Sequence, residues 1–195
     1  MPKLLRSALI RFSVLGVLVA AALVAPKAEA SILIFPAARY ESLKSSDTTG
    51  LVGNGDSRVL SADGRLGLVF DTAGIYLGGL YRYEDSMSGA NKAKGTGYGA
   101  SAGIVARQFA IIGTYILDAE RTYSSGTVES KVSQGKGMQI DVMYVAGVTA
   151  TFGIGPQLTY RDIKFARSTP SGGVENENTY QEKTIEPGIV FWWRF

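Results

Sequence analysis

Neither cysteine nor histidine occurs among the 195 residues of the chain. Their absence excludes structural disulfides, a cysteine nucleophile, a lipid-modified N-terminal cysteine and zinc sites built on these two ligands. Beyond residue 25 the sequence also has no run of roughly 20 apolar residues, which is the length that a transmembrane helix needs. Hydrophobic residues nevertheless make up 46% of the chain, so they must follow another pattern.

The net charge gives no support for a nucleic-acid partner. The chain has 20 basic and 17 acidic residues, a formal charge of +3. Four of the basic residues and one acidic residue fall within the first thirty positions, so residues 31–195 carry 16 of each sign. The basic character therefore belongs to the N-terminal segment, and we expect no binding to nucleic acid.

The N-terminus has the three parts of a secretory signal peptide. A positive region with Lys3, Arg6 and Arg11 precedes an apolar run over residues 12–25, and a small-x-small cleavage pattern follows at residues 28–30. We therefore predict a signal peptide over residues 1–30, cleaved before Ser31. An uncleaved inner-membrane anchor is the alternative, but the apolar run is shorter than the roughly 20 residues that span a bilayer.

The rest of the chain alternates in the manner of β-strands about 10 residues long, with apolar side chains at every second position. In the clearest case, Leu158 and Tyr160 share one face while Gln157 and Arg161 share the other. Such alternation predicts a sheet with one apolar and one polar face.

Long polar segments alternate with short turns between these strands. The predicted loops cover residues 44–57, 85–95, 123–135 and 166–178, and the predicted turns lie at residues 71–74, 107–108 and 148–151. Asp63-Gly64 could form a further turn, but the apolar positions keep their parity across it, which favours one continuous strand. Long loops on one side and short turns on the other are typical of membrane barrels. The sequence thus predicts an all-β fold, an antiparallel up-and-down transmembrane β-barrel of eight strands over residues 31–195.

The chain ends in a strand that would be hazardous at the edge of a soluble sheet. Its apolar face carries Phe191, Trp193 and the terminal Phe195, with Gly188 just upstream. This segment resembles the C-terminal assembly signal of bacterial outer-membrane β-barrels, in which the barrel-assembly machinery recognises the last strand. The architecture of residues 31–195 is similar to that of the small OmpA/OmpX-type barrels. The resemblance implies a place in the outer membrane of a Gram-negative cell, in contact with outer-membrane lipid and lipopolysaccharide.

Charged side chains on the polar face would point into such a barrel. The predicted interior set is Arg39, Glu41, Arg65, Arg82, Glu84, Arg107, Asp118, Glu120, Asp141 and Arg161. These residues could form a binding site or an ion path. They could instead neutralise one another in a structural network, which is favoured because eight strands enclose a space only wide enough for side chains.

The sequence gives little indication of catalysis. Asp118, Glu120 and Asp141 are candidates for acid–base chemistry. However, the barrel enzymes with which the chain could be compared rely on a histidine, and this chain has none; they are the lipid A deacylases, palmitoyltransferases, phospholipases and omptin proteases. We therefore expect no enzyme, no cofactor and no metal site.

The function predicted from the sequence is that of an integral outer-membrane protein with surface-exposed loops. Its role would be structural or interactive, in adhesion or in the cell envelope, with a possible extracellular partner bound by the loops. A narrow porin-like channel for ions, small solutes or apolar solutes, similar to OmpW-like barrels, is one alternative. The other is a soluble periplasmic lipocalin-like barrel, whose apolar face would turn inward around a ligand.

Overall fold

The computed structural model of the chain describes residues 30–44, 56–88 and 91–195. These residues form ten β-strands: β1 (Ala30–Lys44), β2 (Asp56–Phe70), β3 (Ile75–Ser88), β4 (Asn91–Ala106), β5 (Phe109–Ser125), β6 (Val128–Ser133), β7 (Lys136–Tyr144), β8 (Ala146–Gly147), β9 (Phe152–Thr169) and β10 (Asn176–Arg194). Within the described residues there is no helix with the length and hydropathy to cross a bilayer. The predicted signal peptide, apart from Ala30, lies outside the described residues.

The ten strands make one closed antiparallel sheet. Each strand from β1 to β5 pairs with the next along the chain, β9 pairs with β10, and β10 pairs back with β1. β6, β7 and β8 follow one another along the edge of β9 and together occupy a single position in the ring. The sheet is therefore a barrel with eight strand positions, and the predicted fold class is confirmed.

Side chains on the strands alternate between the outside and the interior of the barrel. Leu60, Leu66 and Ile104 point outward and are 61 to 63% exposed, whereas Phe35 and Tyr76 point inward and are fully buried. A ring without an edge satisfies the strand hydrogen bonds internally, which permits an apolar outer surface in lipid. Among the residues that the structure describes, most exposed large apolar side chains face outward, which is opposite to the orientation that the lipocalin-like alternative requires.

The predicted loops are shorter than the sequence indicated. β3 continues to Ser88 and β4 begins at Asn91, while residues 126–127 alone separate β5 from β6. β9 and β10 are joined by residues 170–175, and most of the first predicted loop, residues 45–55, lies outside the described residues. The strands continue as polar hairpins beyond the apolar outer surface. The outward residues there are polar, such as Glu120 and Lys131, so the apolar alternation that reveals a strand in sequence is missing. Asp63-Gly64 lies inside β2, which confirms the continuous strand.

A β-bulge in β5 changes which side chains face inward. Asp118 pairs with Tyr98 and Ile116 pairs with Gly99, so Leu117 is an extra residue in the ladder. Ile116 is buried before the bulge, and Ala119 and Arg121 are buried after it. A bulge places two residues of one strand opposite one residue of its partner, and the inward parity of β5 therefore switches from even to odd.

Inward-facing glycines make room for large interior side chains. The ring of Tyr76 lies across Gly67 and Gly78, where an added Cβ would approach it within 2.7 Å. In the same way Trp192 lies against Gly153. These close approaches require a residue without a Cβ, which explains why inward positions of the barrel include so many glycines.

Candidate functional site

The barrel interior contains a network of buried charged side chains, with equal numbers of positive and negative members. Its members are Arg39 from β1, Asp63 and Arg65 from β2, Arg82 and Glu84 from β3, Arg121 from β5, Asp141 from β7, Arg161 from β9, and Glu182 and Glu186 from β10. None of these side chains is more than 8% exposed. The five arginines and five carboxylates give a formal charge of zero, as expected where charges are removed from water.

Asp63 and Asp141 anchor the part of the network built on β1, β2 and β7. Asp63 pairs with Arg39 and Arg65, and Arg65 pairs in turn with Asp141. Asp141 also accepts hydrogen bonds from the amide of Gln157 at 2.7 Å and the hydroxyl of Thr159 at 2.6 Å. Charge-assisted hydrogen bonds of this kind satisfy the remaining carboxylate lone pairs.

Glu186 stands at the junction of three arginines. Arg82 Nη2 lies 2.9 Å from Glu186 Oε2, Arg161 Nη2 lies 3.1 Å from Oε1, and Arg39 Nη1 lies 3.3 Å from Oε2. The Thr184 hydroxyl donates a further hydrogen bond of 2.8 Å to Oε1. The side chain is fully buried, so these groups replace the water that an exposed carboxylate would bind.

Glu84 and Glu182 connect the arginines of β5 and β9. Glu84 pairs with Arg82, Arg121 and Arg161. Glu182 pairs with Arg161 and also with Arg121, whose Nη1 lies 2.6 Å from Glu182 Oε2. Two carboxylates and three arginines thus share a continuous set of ion pairs across four strands.

The charged network lies between two apolar clusters along the barrel axis. The inward side chains of β10 show the order: Tyr180 comes first, then Glu182 and Glu186, and then Val190. Val190 belongs to a cluster at the end where β1 begins, β10 ends and the short turns lie, and Tyr180 packs on a cluster at the hairpin end. The cavity among the charged side chains is about 20 Å³, room for about one water molecule.

Six of the ten side chains predicted for the interior belong to this network: Arg39, Arg65, Arg82, Glu84, Asp141 and Arg161. The side chain of Glu41 lies outside the described residues. Three predictions are corrected. Arg107 is an exposed turn residue with φ of 52°, and the bulge in β5 places Asp118 at the surface boundary and Glu120 outside, where it pairs with Lys131 at 2.6 Å.

Four network members were missed by the sequence reasoning: Asp63, Arg121, Glu182 and Glu186. Asp63 has the same parity as Arg65, but its position before a glycine suggested a turn. Glu182 and Glu186 have the parity opposite to the apolar face of the last strand, so alternation alone could have identified them. Arg121 could not have been found in this way, because it faces inward only as a result of the bulge.

The predicted assembly signal lies where β10 closes the ring. The backbones of Phe195 and Ile32 exchange two hydrogen bonds of 3.0 Å, and the rings of Phe191 and Trp193 pack against Phe152 on the outer surface. Gly188 faces Arg39, whose Cγ lies 2.5 Å from the position of a Cβ at Gly188. Recognition of this segment by the assembly machinery remains a prediction.

Comparisons with known proteins support the fold. No family model and no curated protein matches the sequence. Among solved structures, Neisserial surface protein A aligns with a TM-score of 0.50 and 14% identity over 85% of this chain and 96% of that one. The attachment invasion locus protein Ail of Yersinia pestis aligns with a TM-score of 0.43 and 13% identity, over 87% and 99% of the two chains. The translocator domain of autotransporter NalP from Neisseria meningitidis aligns with a TM-score of 0.46 and 14% identity, over 94% of this chain and 70% of that one.

The closed ladder and the apolar outer surface agree with the alignment to Neisserial surface protein A. An eight-stranded ring that buries its charges and exposes its apolar side chains is suited to a lipid environment. The chain has the fold of the small eight-stranded outer-membrane β-barrels.

Proposed function

We propose that the barrel is a sealed membrane anchor that holds polar hairpins at the cell surface for an interaction role in adhesion or in the envelope. The observation that carries this proposal is the filled, charge-neutral interior. Because side chains fill the interior among the residues that the structure describes, the parts of the molecule best placed for recognition are the hairpins beyond the apolar surface.

The interior favours an anchor over a channel. A conducting path needs a continuous lumen lined by polar groups, but apolar clusters lie on both sides of the charged network. The glycines of β4 do not leave an open passage either. A Cβ at Gly99 would lie 2.8 Å from the Thr114 methyl group, and one at Gly103 would lie 3.0 Å from Ile112 Cγ1. Side chains of β5 therefore occupy the space that these glycines provide.

The hairpins lie at the end of the barrel opposite the short turns. Contacts between neighbouring hairpins hold the surface that they form in place. Residues 131–133 of β6 pair with residues 167–169 of β9, so two neighbouring hairpins share one sheet. Glu175 in the β9–β10 turn accepts hydrogen bonds from Arg167 at 2.9 Å and from Ser133 at 3.4 Å. Such links reduce the conformational entropy that a binding surface loses when it meets a partner.

The carboxylates offer no evident site for acid–base catalysis. Asp141, the only one of the three sequence candidates that lies in the interior, is fully buried and bound by Arg65, Gln157 and Thr159. A catalytic carboxyl group must reach the proton that it transfers in a bound substrate. The cavity has no room for such a substrate, so we propose a non-enzymatic role.

The first test is electrical. Residues 31–195, refolded in detergent and incorporated into planar bilayers, should give no reproducible unit conductance because the lumen is blocked. Heat-dependent mobility in SDS would show that the incorporated material is folded. A reproducible unit conductance from folded material would favour the narrow channel instead.

The second test addresses the hairpins. Replacing residues 124–129 by Asn-Gly shortens the β5–β6 hairpin with a favoured two-residue turn, and it leaves the network arginine at position 121 in place. Cells that produce this variant should lose attachment to surfaces or neighbouring cells, or show altered envelope integrity. The control replaces residues 149–150 in a turn at the opposite end by Asn-Gly. Unchanged attachment and envelope integrity after shortening both this hairpin and the β9–β10 hairpin would remove the proposed interaction role.

A further inference from the structure

Three lysines lie close together on the outer surface of β7, β9 and β10. Lys136 and Lys164 are direct cross-strand partners, and both are exposed. Lys183 on β10 is a diagonal neighbour of Lys164, because the direct partner of Lys164 is Gln181. Direct and diagonal neighbours in a sheet have Cβ atoms about 5 and 7 Å apart, so all three ammonium groups of this lysine patch can reach one ligand.

The positive charge of the lysine patch is only partly neutralised. Asp162 lies 3.6 Å from Lys183 and accepts a hydrogen bond of 2.6 Å from Gln181. Lys136 and Lys164 form no ion pair with a carboxylate among the residues that the structure describes. Like charges directly opposite one another destabilise a sheet, and an anionic ligand would remove this repulsion.

The lysine patch lies just beyond the apolar outer surface. Tyr160 is the direct partner of both Ile140 and Ile185, which gives an apolar row across the same three strands. With a rise of about 3.3 Å per residue and a tilt of about 40°, Lys164 lies roughly 30 Å from Phe152 along the membrane normal. The apolar band of such barrels is about 25 Å tall, so Lys164 lies just outside it, at the hairpin end.

We propose that the lysine patch binds the phosphate groups of a phosphorylated glycolipid in the outer leaflet. The acyl chains of this lipid lie against Ile140, Tyr160 and Ile185, and its phosphates contact Lys136, Lys164 and Lys183. The height of the lysines above an apolar row matches a ligand with a charged head and apolar chains, and the uncompensated positive charge matches phosphate. This inference rests on the membrane position assumed in the proposed function.

The test uses nanodiscs of phosphatidylcholine that contain a minor fraction of diphosphorylated lipid A. Native mass spectrometry counts the lipid A molecules that remain on the refolded barrel after release. The variant Lys136→Gln with Lys164→Gln keeps the side-chain length but removes two charges. Because a lysine near an anionic lipid surface contributes about five-fold in affinity, we expect this variant to bind lipid A about 25-fold more weakly.

The matched control is Lys92→Gln with Lys94→Gln on β4. It also removes two lysine charges from exposed positions, but Lys94 faces Asp85 as its cross-strand partner. The control variant should retain lipid A nearly as well as the original chain. Lipid A without its phosphates should bind the original chain no more tightly than it binds the variant Lys136→Gln with Lys164→Gln. Equal losses in the two double variants would overturn the proposal, as would displacement of lipid A by excess inorganic phosphate.

Insertion into pure phosphatidylcholine separates this inference from the proposed function. A heat-dependent shift of the inserted barrel, without any preference for lipid A, would overturn the lipid site alone. Failure of the chain to insert at all would overturn the membrane anchor together with the lipid site.

Discussion

Replacing Glu186 by glutamine should strongly destabilise the barrel. Glu186 is fully buried and shared by Arg39, Arg82 and Arg161. Glutamine preserves the size of the side chain but removes its negative charge and turns an NH₂ group toward arginines. The interior would then contain five arginines and four carboxylates, which leaves one buried positive charge unbalanced.

The expected magnitude follows from the position of Glu186 in the network. Removing one partner of a buried ion pair costs about 3–5 kcal/mol, because the other partner remains buried without compensation. A comparable change at the surface costs much less. Glu120→Gln is the matched control, because Glu120 also pairs with a cation, Lys131, but is 46% exposed, and exposed pairs contribute about 0–1 kcal/mol.

The assay is equilibrium unfolding of the refolded barrel in lipid vesicles by urea. Fluorescence of Trp192 and Trp193, the two tryptophans of the chain, reports on both faces of the last strand. A second variant, Glu186→Gln with Arg82→Gln, restores charge balance and should recover at least about 1 kcal/mol relative to the sum of the single changes. A loss in the free energy of unfolding for Glu186→Gln no larger than that for Glu120→Gln would refute the stabilising role assigned to Glu186.

Three further predictions concern closure, packing and assembly. The chain in outer-membrane fractions should migrate differently in SDS before and after boiling, because a closed ladder offers no free edge; identical mobility would contradict the closed ring. Gly78→Val should lower the free energy of unfolding by about 1–3 kcal/mol, since a Cβ there would overlap the Tyr76 hydroxyl; Gly113→Ala, which meets only a carbonyl oxygen at 3.8 Å, is the control in the same urea assay. Phe195→Ala should reduce the amount of barrel in the outer membrane of cells but leave the refolded barrel nearly as stable, because this side chain is 69% exposed; normal amounts in cells would argue against an assembly signal.

Alternation predicted the barrel because the apolar outer surface leaves a period-two pattern in each membrane-spanning strand. Ile140 and Val142 against Gln139 and Asp141 are an example in which both faces were assigned correctly. The pattern also placed Arg82 and Arg161 in the interior. It could not show which side chains pair there, because partners such as Arg82 and Glu186 are 104 residues apart.

Sequence patterns gave wrong predictions for the hairpin strands and gave no sign of the lysine patch. The hairpins beyond the apolar outer surface have polar residues on their outward face, so their strands were predicted as loops. Lys136 and Lys164 are 28 positions apart in the sequence, and only the register of β7 and β9 makes them direct partners. A patch of this kind follows from strand pairing, which a single sequence does not reveal.

The bulge in β5 shows how one extra residue sets the charge of the interior. Without it, even-numbered positions would continue inward, and Asp118 and Glu120 would replace Ala119 and Arg121. The interior would then hold four arginines and seven carboxylates. The bulge thus maintains neutrality, because buried charges must be balanced.

Two single-residue deletions test this role of the bulge. Deleting Asp118 removes the bulge, because Leu117 then takes its place in the ladder, and it leaves Ala119 and Arg121 inward, so we expect a folded barrel with nearly unchanged stability. Deleting Ala119 also gives a regular ladder with Arg121 inward, but Asp118 then takes the interior position of Ala119. That position is tightly packed, because a Cβ added to Gly135 would lie 2.9 Å from the Ala119 Cβ. The added buried carboxylate has no arginine of its own, so this deletion should cost about 3–5 kcal/mol more in urea unfolding. Equal losses from the two deletions would mean that the bend of the strand matters and not the charge that it places inside.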